Sequence, residues 1–354
     1  MSNREKTFVV LTPAFPANES EESWLHWLQM LLRSVKKLFP GIKIIVISFI
    51  YPHSTSIYQW NGIEVFSFDG MRFTKIKRPL LWRKAWVKLN EINRQQKITA
   101  ILSIWSSECA LVGHYFGKRN SVPHFIWICG QDARAKNKMV RLIRPLSTEL
   151  IAMSDFLIDE FTKNHHIKPA HLIPNGVDPS MFSKEAVKKD VDIIGAGSLS
   201  FLKQYDIFLE VIAGLKNSKP DIKALLVGDG EHADGLKKML EQLSLQQNVE
   251  LKGLLTPVET IHLMERSKIF LHPSSYEGFS TACLEALYAG AHVISFVKPM
   301  HHEIKNWHIV SSKEEMQQKA MELLNTSTLD HEPVLAYSMD HNATSMMELL
   351  GLAD

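Results

Sequence analysis

Residues 272–296 read HPSSYEGFSTACLEALYAGAHVISF. An apolar run at Ile269–His272 leads into a loop of small residues, a helix-length segment at Thr281–Ala289 and a second apolar run at His292–Phe296. Strand, loop, helix and strand in that order form a β-α-β unit, whose crossover sets the two strands parallel. Gly278, Ser280 and Thr281 let backbone amides approach an anion at the helix start, where unpaired N–H groups and the helix dipole favour phosphate. Glu277 in the loop and Glu285 on the helix flank that position, and carboxylates accept hydrogen bonds from sugar or ribose hydroxyls. The segment suits a ligand that is phosphorylated in the middle and polyhydroxylated at both ends.

The same rhythm extends outward in both directions. Around the quoted unit, strands are expected at Val191–Gly195, Lys223–Val227 and Val249–Lys252, separated by helices at Tyr205–Leu215, Glu231–Leu245 and Pro257–Arg266. The first half offers strands at Thr7–Thr12, Ile42–Ser48, Ala100–Trp105, His124–Cys129, Glu149–Ser154 and His171–Ile173, with a helix at Ser23–Leu38. Between the halves, PNGVDPSMFSKEAVKKD (Pro174–Asp190) clusters Pro, Asn-Gly and Asp-Pro as a linker does. A chain of 354 residues exceeds the roughly 250 to 300 at which single cores stop growing. Residues 1–172 and 191–335 are therefore expected as two α/β, doubly wound parallel-sheet domains joined by residues 173–190, with a last helix within 336–354. In such sheets ligands bind outside the carboxyl ends of the strands.

EGFS followed by LEA, with seven residues between Glu277 and Glu285, resembles the retaining glycosyltransferases of family 4, the glycosyl transferases group 1. That resemblance implies the GT-B fold, two Rossmann-like domains facing a cleft, and a UDP- or GDP-sugar as co-substrate without metal or other cofactor. It places Glu277 against the transferred sugar and Glu285 on the ribose, with Gly278, Phe279, Ser280, Thr281 and Leu284 completing the donor loop. GAGSLSFLKQYDIFLEVI (Gly195–Ile212) is similar to the family's first β-α turn, whose Arg and Lys grip the donor diphosphate. Lys203 is retained, Ser198 stands in the place of the Arg and Gln204 in that of a glycine. The segment from Val249 resembles the one lying against the nucleotide base, which points to Gly253 and Leu254.

In the first half, PAFPANESEESWLHWL follows the first strand, with Asn18, Ser20 and Ser23 as candidate helix caps and Asn18 on the acceptor side. ICGQDARAK (Ile128–Lys136) is similar to a strand-end H-G-x-D motif in which Cys129 replaces the His, leaving Gly130 and Asp132 as acceptor-side candidates. Asp190-Val191-Asp192 has the D-x-D spacing that other glycosyltransferases use for a metal, but it starts a strand, away from the carboxyl ends, and reads as solvated linker. His165-His166 and His301-His302 are adjacent rather than four apart, so no catalytic metal is expected.

Net charge is +2, yet it conceals an asymmetry: 24 Lys and Arg against 13 Asp and Glu through residue 172, and 16 against 25 after it. The basic half is expected to meet something anionic. MRFTKIKRPLLWRKAWVKLN (Met71–Asn90) interleaves basic residues with Trp82 and Trp86, which suits either an anionic membrane surface or a solvated helix with its apolar side in the core. No nucleic-acid module accompanies the charge. Three cysteines without C-x-x-C spacing, no apolar run near the roughly 20 residues of a membrane span and no leader point to a cytoplasmic protein, peripheral on the inner face of the membrane. The expected activity is retaining, metal-independent transfer of a sugar to a hydroxyl of a glycan or lipid-linked acceptor, in cell-surface polysaccharide synthesis. The alternative is a non-catalytic sugar-nucleotide-binding or scaffolding partner of another transferase, favoured by Ser198 and Cys129 replacing functional residues. A nicotinamide oxidoreductase is disfavoured, because the first β-α turn lacks G-x-G-x-x-G.

Overall fold

The computed structural model describes residues 6–22 and 24–353; Ser23 lies outside them. The strands are β1 (Lys6–Ala14), β2 (Ile42–Tyr51), β3 (Thr55–Trp60), β4 (Ile63–Phe68), β5 (Ile98–Ile104), β6 (His124–Ile128), β7 (Leu150–Ala152), β8 (His171–Leu172), β9 (Val191–Ala196), β10 (Ala224–Val227), β11 (Val249–Gly253), β12 (Ser267–His272), β13 (His292–Ser295) and β14 (Trp307–Ile309). The helices are α1 (His26–Leu38), α2 (Arg78–Gln95), α3 (Glu108–Asn120), α4 (Lys138–Ile143), α5 (Asp155–His165), α6 (Tyr205–Lys216), α7 (Ala233–Gln242), α8 (Pro257–Glu265), α9 (Thr281–Tyr288), α10 (Lys313–Asn325) and α11 (Met339–Leu349). The chain divides into two compact units: one runs to Asn175 and regains the chain from Met339, the other is Gly176–Ser338.

The first unit holds an eight-stranded sheet in the order β3-β4-β2-β1-β5-β6-β7-β8. Every neighbouring pair is parallel except β3 and β4. That hairpin adds one antiparallel edge strand, which the sequence reading does not include, to the expected parallel sheet. Its signal is TSIYQW-NG-IEVFSF, and Asn61 and Gly62 take the positive φ values, 47° and 69°, that a tight two-residue hairpin turn requires. Helix α1 begins at His26 behind Leu25, whose φ is 45°, and no side chain caps it. Asn18 and Ser20 are not caps, since the Asn18 carboxamide oxygen accepts from the Ser20 amide at 3.0 Å. The buried Gln29 amide instead donates to the carbonyls of Trp24 at 2.8 Å and of Glu21 and Glu22 at 3.2 Å each, which fixes the loop before the helix. Helix α11 packs on α1, where Lys37 pairs with Asp340 at 2.7 Å.

Helix α2 covers one face of this sheet. Leu81, Ala85, Leu89 and Ile92 recur at helical spacing and join Val9, Leu11, Ile45 and Ile47 in one core. Trp82 and Trp86 pack against that core; the Trp82 indole donates to Glu108 at 2.8 Å and Trp86 meets Phe116 edge-on at 5.3 Å. Both tryptophans are thus partly buried against the core, which for these two residues favours the second of the two readings, a helix with its apolar side in the core.

The second unit is a six-stranded, all-parallel sheet in the order β11-β10-β9-β12-β13-β14. Alternation decides its layers. Ile193, Leu226, Ile269, Leu271 and Ile294 face a core shared with α6, α7 and α10, while Ile194, Leu225, Val227, Phe270 and Val293 face α8 and α9. Each fully buried side chain of this size stabilises by about 1.5–3 kcal/mol. Asp190 is exposed linker, as expected, and holds the Arg266 guanidinium at the surface through two bonds of 2.9 and 2.7 Å, whereas Asp192 is corrected from solvated linker to a buried residue that pairs with Lys268 at 2.8 Å and accepts from the Lys223 amide at 3.1 Å. These contacts fasten the amino end of β9 to its neighbours. Strand order reverses between β9 and β12, so the turns that follow them leave in opposite directions and open a crevice at their carboxyl ends. Among the described residues no helix is long and apolar enough to cross a membrane.

The turn after β9 is crowded. At Gly228, with φ of 135°, a Cβ would stand 1.9 Å from the Gly197 carbonyl oxygen, so only glycine permits the β10 turn to lie against the β9 turn. Gln204 takes φ of 50° just before α6, at the position where the family resemblance expects glycine. A left-handed backbone costs a non-glycine residue roughly 1–2 kcal/mol, partly offset in a glycine variant by its greater unfolded-state freedom. We predict that Gln204→Gly raises stability in urea denaturation by up to about 1 kcal/mol; an unchanged or lowered midpoint would show that the turn is not strained.

Candidate active site

Two loops meet at the reversal point of the second sheet. After β9 comes a single 3-10 turn, Phe201–Lys203; after β12 comes the loop from Pro273 to Ser280. Backbone and hydroxyl groups tie them together: the Ser275 amide donates to the Leu202 carbonyl at 3.2 Å, and Ser274 Oγ donates to the same carbonyl at 3.3 Å and to that of Tyr276 at 3.0 Å. This stitching brings the Lys203 ammonium onto the Glu277 carboxylate as an ion pair through Oε2. His272, the buried last residue of β12, places Nε2 3.2 Å from that same oxygen. An ionised carboxylate only accepts hydrogen bonds, so the imidazole is assigned its proton on Nε2 and donates. Burial, reinforced by the Lys203 charge, lowers the His272 pKa and keeps the ring neutral. Its Nδ1 and the hydroxyl of the fully buried Tyr205 have no hydrogen-bond partner among the described residues.

The two glutamates occupy opposite electrostatic environments. Burial pushes the Glu277 pKa up, but the Lys203 charge and the His272 hydrogen bond outweigh it and hold the carboxyl at about 2. Glu285, buried one helix segment further on, is pushed up to about 7 by burial. Ser280 caps α9, its hydroxyl accepting from the Cys283 amide at 3.3 Å. Its φ of −74° shows that the position needs no glycine.

Other expected site residues fall in varied places. Ser198 is exposed in the β9 turn, and Gly253 ends β11 with φ of 67°, followed by the exposed Leu254. Gly278 lies in the loop before α9 and Thr281 is the first residue of that helix. The Phe279 ring is buried parallel to Trp307 at 6.1 Å and edge-on to Tyr337 at 5.6 Å, and the Leu284 side chain is buried, so a donor would meet these two residues through their backbone. In the first unit Asn18 is exposed and Gly130 opens a short 3-10 turn after β6. The buried Asp132 carboxyl accepts from the Cys129 amide at 2.9 Å and from the Asn137 side chain at 3.3 Å, which fixes the turn after β6. Sequence reasoning assigns no role to His272 or Tyr205. A histidine closing an apolar strand immediately before the glutamate loop is the signal that marks the first; Tyr205, in an amphipathic helix, carries none.

Residues 177–332 match the family described as Glycosyl transferases group 1, and the chain belongs to that family, with two parallel-sheet units of the GT-B kind. It is 34% identical over 295 residues to a phosphatidylinositol N-acetylglucosaminyltransferase subunit from Arabidopsis thaliana, an alignment covering 79% of this chain and 65% of that one. Over 131 residues it is 31% identical to the gpi3 subunit of the enzyme of the same name in Schizosaccharomyces pombe, covering 36% of this chain and 29% of that one. The chain thus spans less than two thirds of the length of these curated relatives. Among solved structures, Anabaena HepE in complex with UDP and glucose superposes with a TM-score of 0.67 at 15% identity, covering 98% of this chain and 97% of that one. Sucrose-phosphate synthase from Thermosynechococcus elongatus gives a TM-score of 0.70 at 13% identity, covering 98% and 96%.

The depressed Glu277 pKa has a definite sign for stability. The folded carboxyl is more acidic than the ordinary 4.5, so its contribution is present above that value and is lost as pH falls through about 2. We predict that the acid limb of the wild-type stability profile contains this loss and that Glu277→Gln lacks it, as read by urea midpoints across that range. Glu285 has the opposite sign, because its carboxyl is held up at about 7 and ionisation is unfavourable in the fold. Glu285→Gln is therefore expected to gain stability relative to wild type as pH rises from about 4.5 through 7; parallel profiles would refute the assignment.

Proposed function

We propose that the protein is a retaining glycosyltransferase that moves a sugar from a nucleoside diphosphate donor to a hydroxyl of a glycan or lipid-linked acceptor. The observation that carries this reading is the Lys203–Glu277 pair at the reversal point of the second sheet, beside the start of α9. An ammonium has three N–H donors and Glu277 engages one face of it, which leaves donors for a phosphate oxygen. Lys203 and the amides at the start of α9 stabilise the charge that develops on the departing diphosphate, so no metal is assigned to that task. Glu277, ionised and held in place by His272, accepts from hydroxyls of the transferred sugar and orients it. Glu285 accepts from the ribose. The leaving phosphate takes the acceptor proton, so no protein nucleophile is required.

The relatives' names support the choice of substrates: UDP accompanies HepE, and phosphatidylinositol appears in the names of the two curated relatives. A UDP-sugar donor, with GDP-sugar second, and an acceptor presented at the inner face of the membrane follow from that support. Synthesis of cell-surface polysaccharide is the corresponding role. The alternative, a non-catalytic sugar-nucleotide-binding partner of another transferase, is favoured by the exposed hydroxyl of Ser198 where the family's arginine would supply charge.

Incubation with a panel of nucleotide sugars in the presence of a chelator should release nucleoside diphosphate. Lys203→Ala and Glu277→Ala should each lower that rate by at least about 100-fold, the scale of removing one group that stabilises developing charge. Donor binding without turnover across a broad acceptor panel selects the non-catalytic reading. Loss of activity in chelator with recovery on adding Mg²⁺ or Mn²⁺ contradicts the metal-free mechanism.

A further inference from the structure

Helix α2 and the short turn before it, Lys75–Lys77, carry two apolar faces. The inner face, Leu81, Ala85, Leu89 and Ile92, belongs to the core. The outer face is in solvent: Ile76 is 91% exposed, Leu80 52% and Val87 55%. At about 100° per residue Leu80 and Val87 fall within about 20° of one another on α2, on the side opposite the core stripe, and Ile76 is exposed in the 3-10 turn that leads into the helix. Exposed aliphatic side chains on one side of a helix and its leading turn, rimmed by charge, are the kind of surface that contacts a partner.

The charges beside the stripe identify what it contacts. Lys75, Lys77, Arg83 and Lys84 are all exposed. Among the described residues no carboxylate pairs with any of them; the Lys84 ammonium lies 5.1 Å from the centre of the Phe73 ring. The acidic residues of the same stretch are already engaged, Asp69 with Arg72 and Glu91 with Lys88. Uncompensated positive charge therefore borders an apolar ridge on both sides. Long basic side chains can lay their stems along such a ridge and carry their charged heads to the level of lipid phosphates. The ridge itself then enters the boundary between headgroups and acyl chains, as the apolar face of an interfacial helix does.

We propose that the outer face of α2, with Ile76, Leu80 and Val87 as its apolar ridge, docks the protein on an anionic phospholipid surface. The contact then rests on aliphatic residues of α2 and the turn preceding it, while Trp82 and Trp86 pack against the core. It deepens the reading of a membrane-presented acceptor and rests on that reading for its purpose, while lipid binding is measured with neither donor nor acceptor.

The test is cosedimentation of the full chain with vesicles of phosphatidylcholine alone and of phosphatidylcholine mixed with phosphatidylglycerol, at low and high salt. Wild type should partition onto the mixed vesicles at low salt, remain free with phosphatidylcholine alone and be released by high salt. Ile76→Ser combined with Leu80→Ser should cut that partition at least about tenfold, with the thermal midpoint and donor turnover in solution unchanged, because both side chains are exposed. Lys75→Ala combined with Lys77→Ala should weaken binding through the electrostatic arm and flatten the salt dependence. Absence of wild-type binding to the mixed vesicles overturns the proposal, as does a double serine variant that binds like wild type. A protein that turns over donor yet ignores vesicles loses this surface and keeps its transferase reading; one that binds vesicles without turnover does the reverse.

Discussion

A buried carboxylate that stays ionised must be compensated, and Glu277 is compensated twice on one oxygen, by Lys203 and by His272. Burial works against the charged form, yet the two partners win by enough to make the group a stronger acid than an exposed glutamate. The requirement propagates outward. Lys203 can reach Glu277 only because the turn after β9 is stitched through Leu202 to the loop after β12. His272 can reach it only because β12 ends one strand away from β9. Sheet order, turn geometry and loop composition thus converge on one charge.

The contrast with Glu285 shows how a single short segment supplies two kinds of carboxyl. Eight positions separate them, yet one is held strongly ionised by a cation and a ring N–H while the other is pushed toward neutrality by burial. Under the proposed function, a donor with hydroxyls at both ends would meet a fixed acceptor at one and a group that ionises near neutral pH at the other. The acidic character of the second half, so marked in the charge count, does not describe this site, where the decisive charge is a lysine.

The architecture is largely legible in the sequence because strand burial here is periodic and complete. Runs such as those of β1, β2, β9 and β12 announce parallel strands without reference to anything distant, and the strand-loop-helix pattern of residues 272–296 holds in place. The antiparallel hairpin of β3 and β4 is equally local, with an Asn-Gly turn and alternating flanks, but a rhythm of parallel β-α units masks it. Side-chain direction is not legible. Phe279, Leu284 and Asp132 sit in motif positions that suggest ligand contact, but tertiary packing turns them inward. Trp82 and Trp86 likewise satisfy a basic-aromatic pattern whose meaning depends on which way the helix rotates. Periodicity places residues on faces, and only the neighbours decide which face is wet.

The return of α11 to the first unit has a consequence for how the chain is made. Its residues lie after all of the second unit, yet they pack on α1 and join Lys37 and the Pro174 carbonyl through Asp340 and Asn342. During synthesis the amino-terminal unit therefore emerges first and stays incomplete, with one flank of α1 uncovered, while every residue of the second unit is added. The second unit is contiguous in the chain, so all of its residues are in place before α11 is made. The order of completion is the reverse of the order of emergence, and α11, made after the whole of the second unit, is the helix that finishes the first.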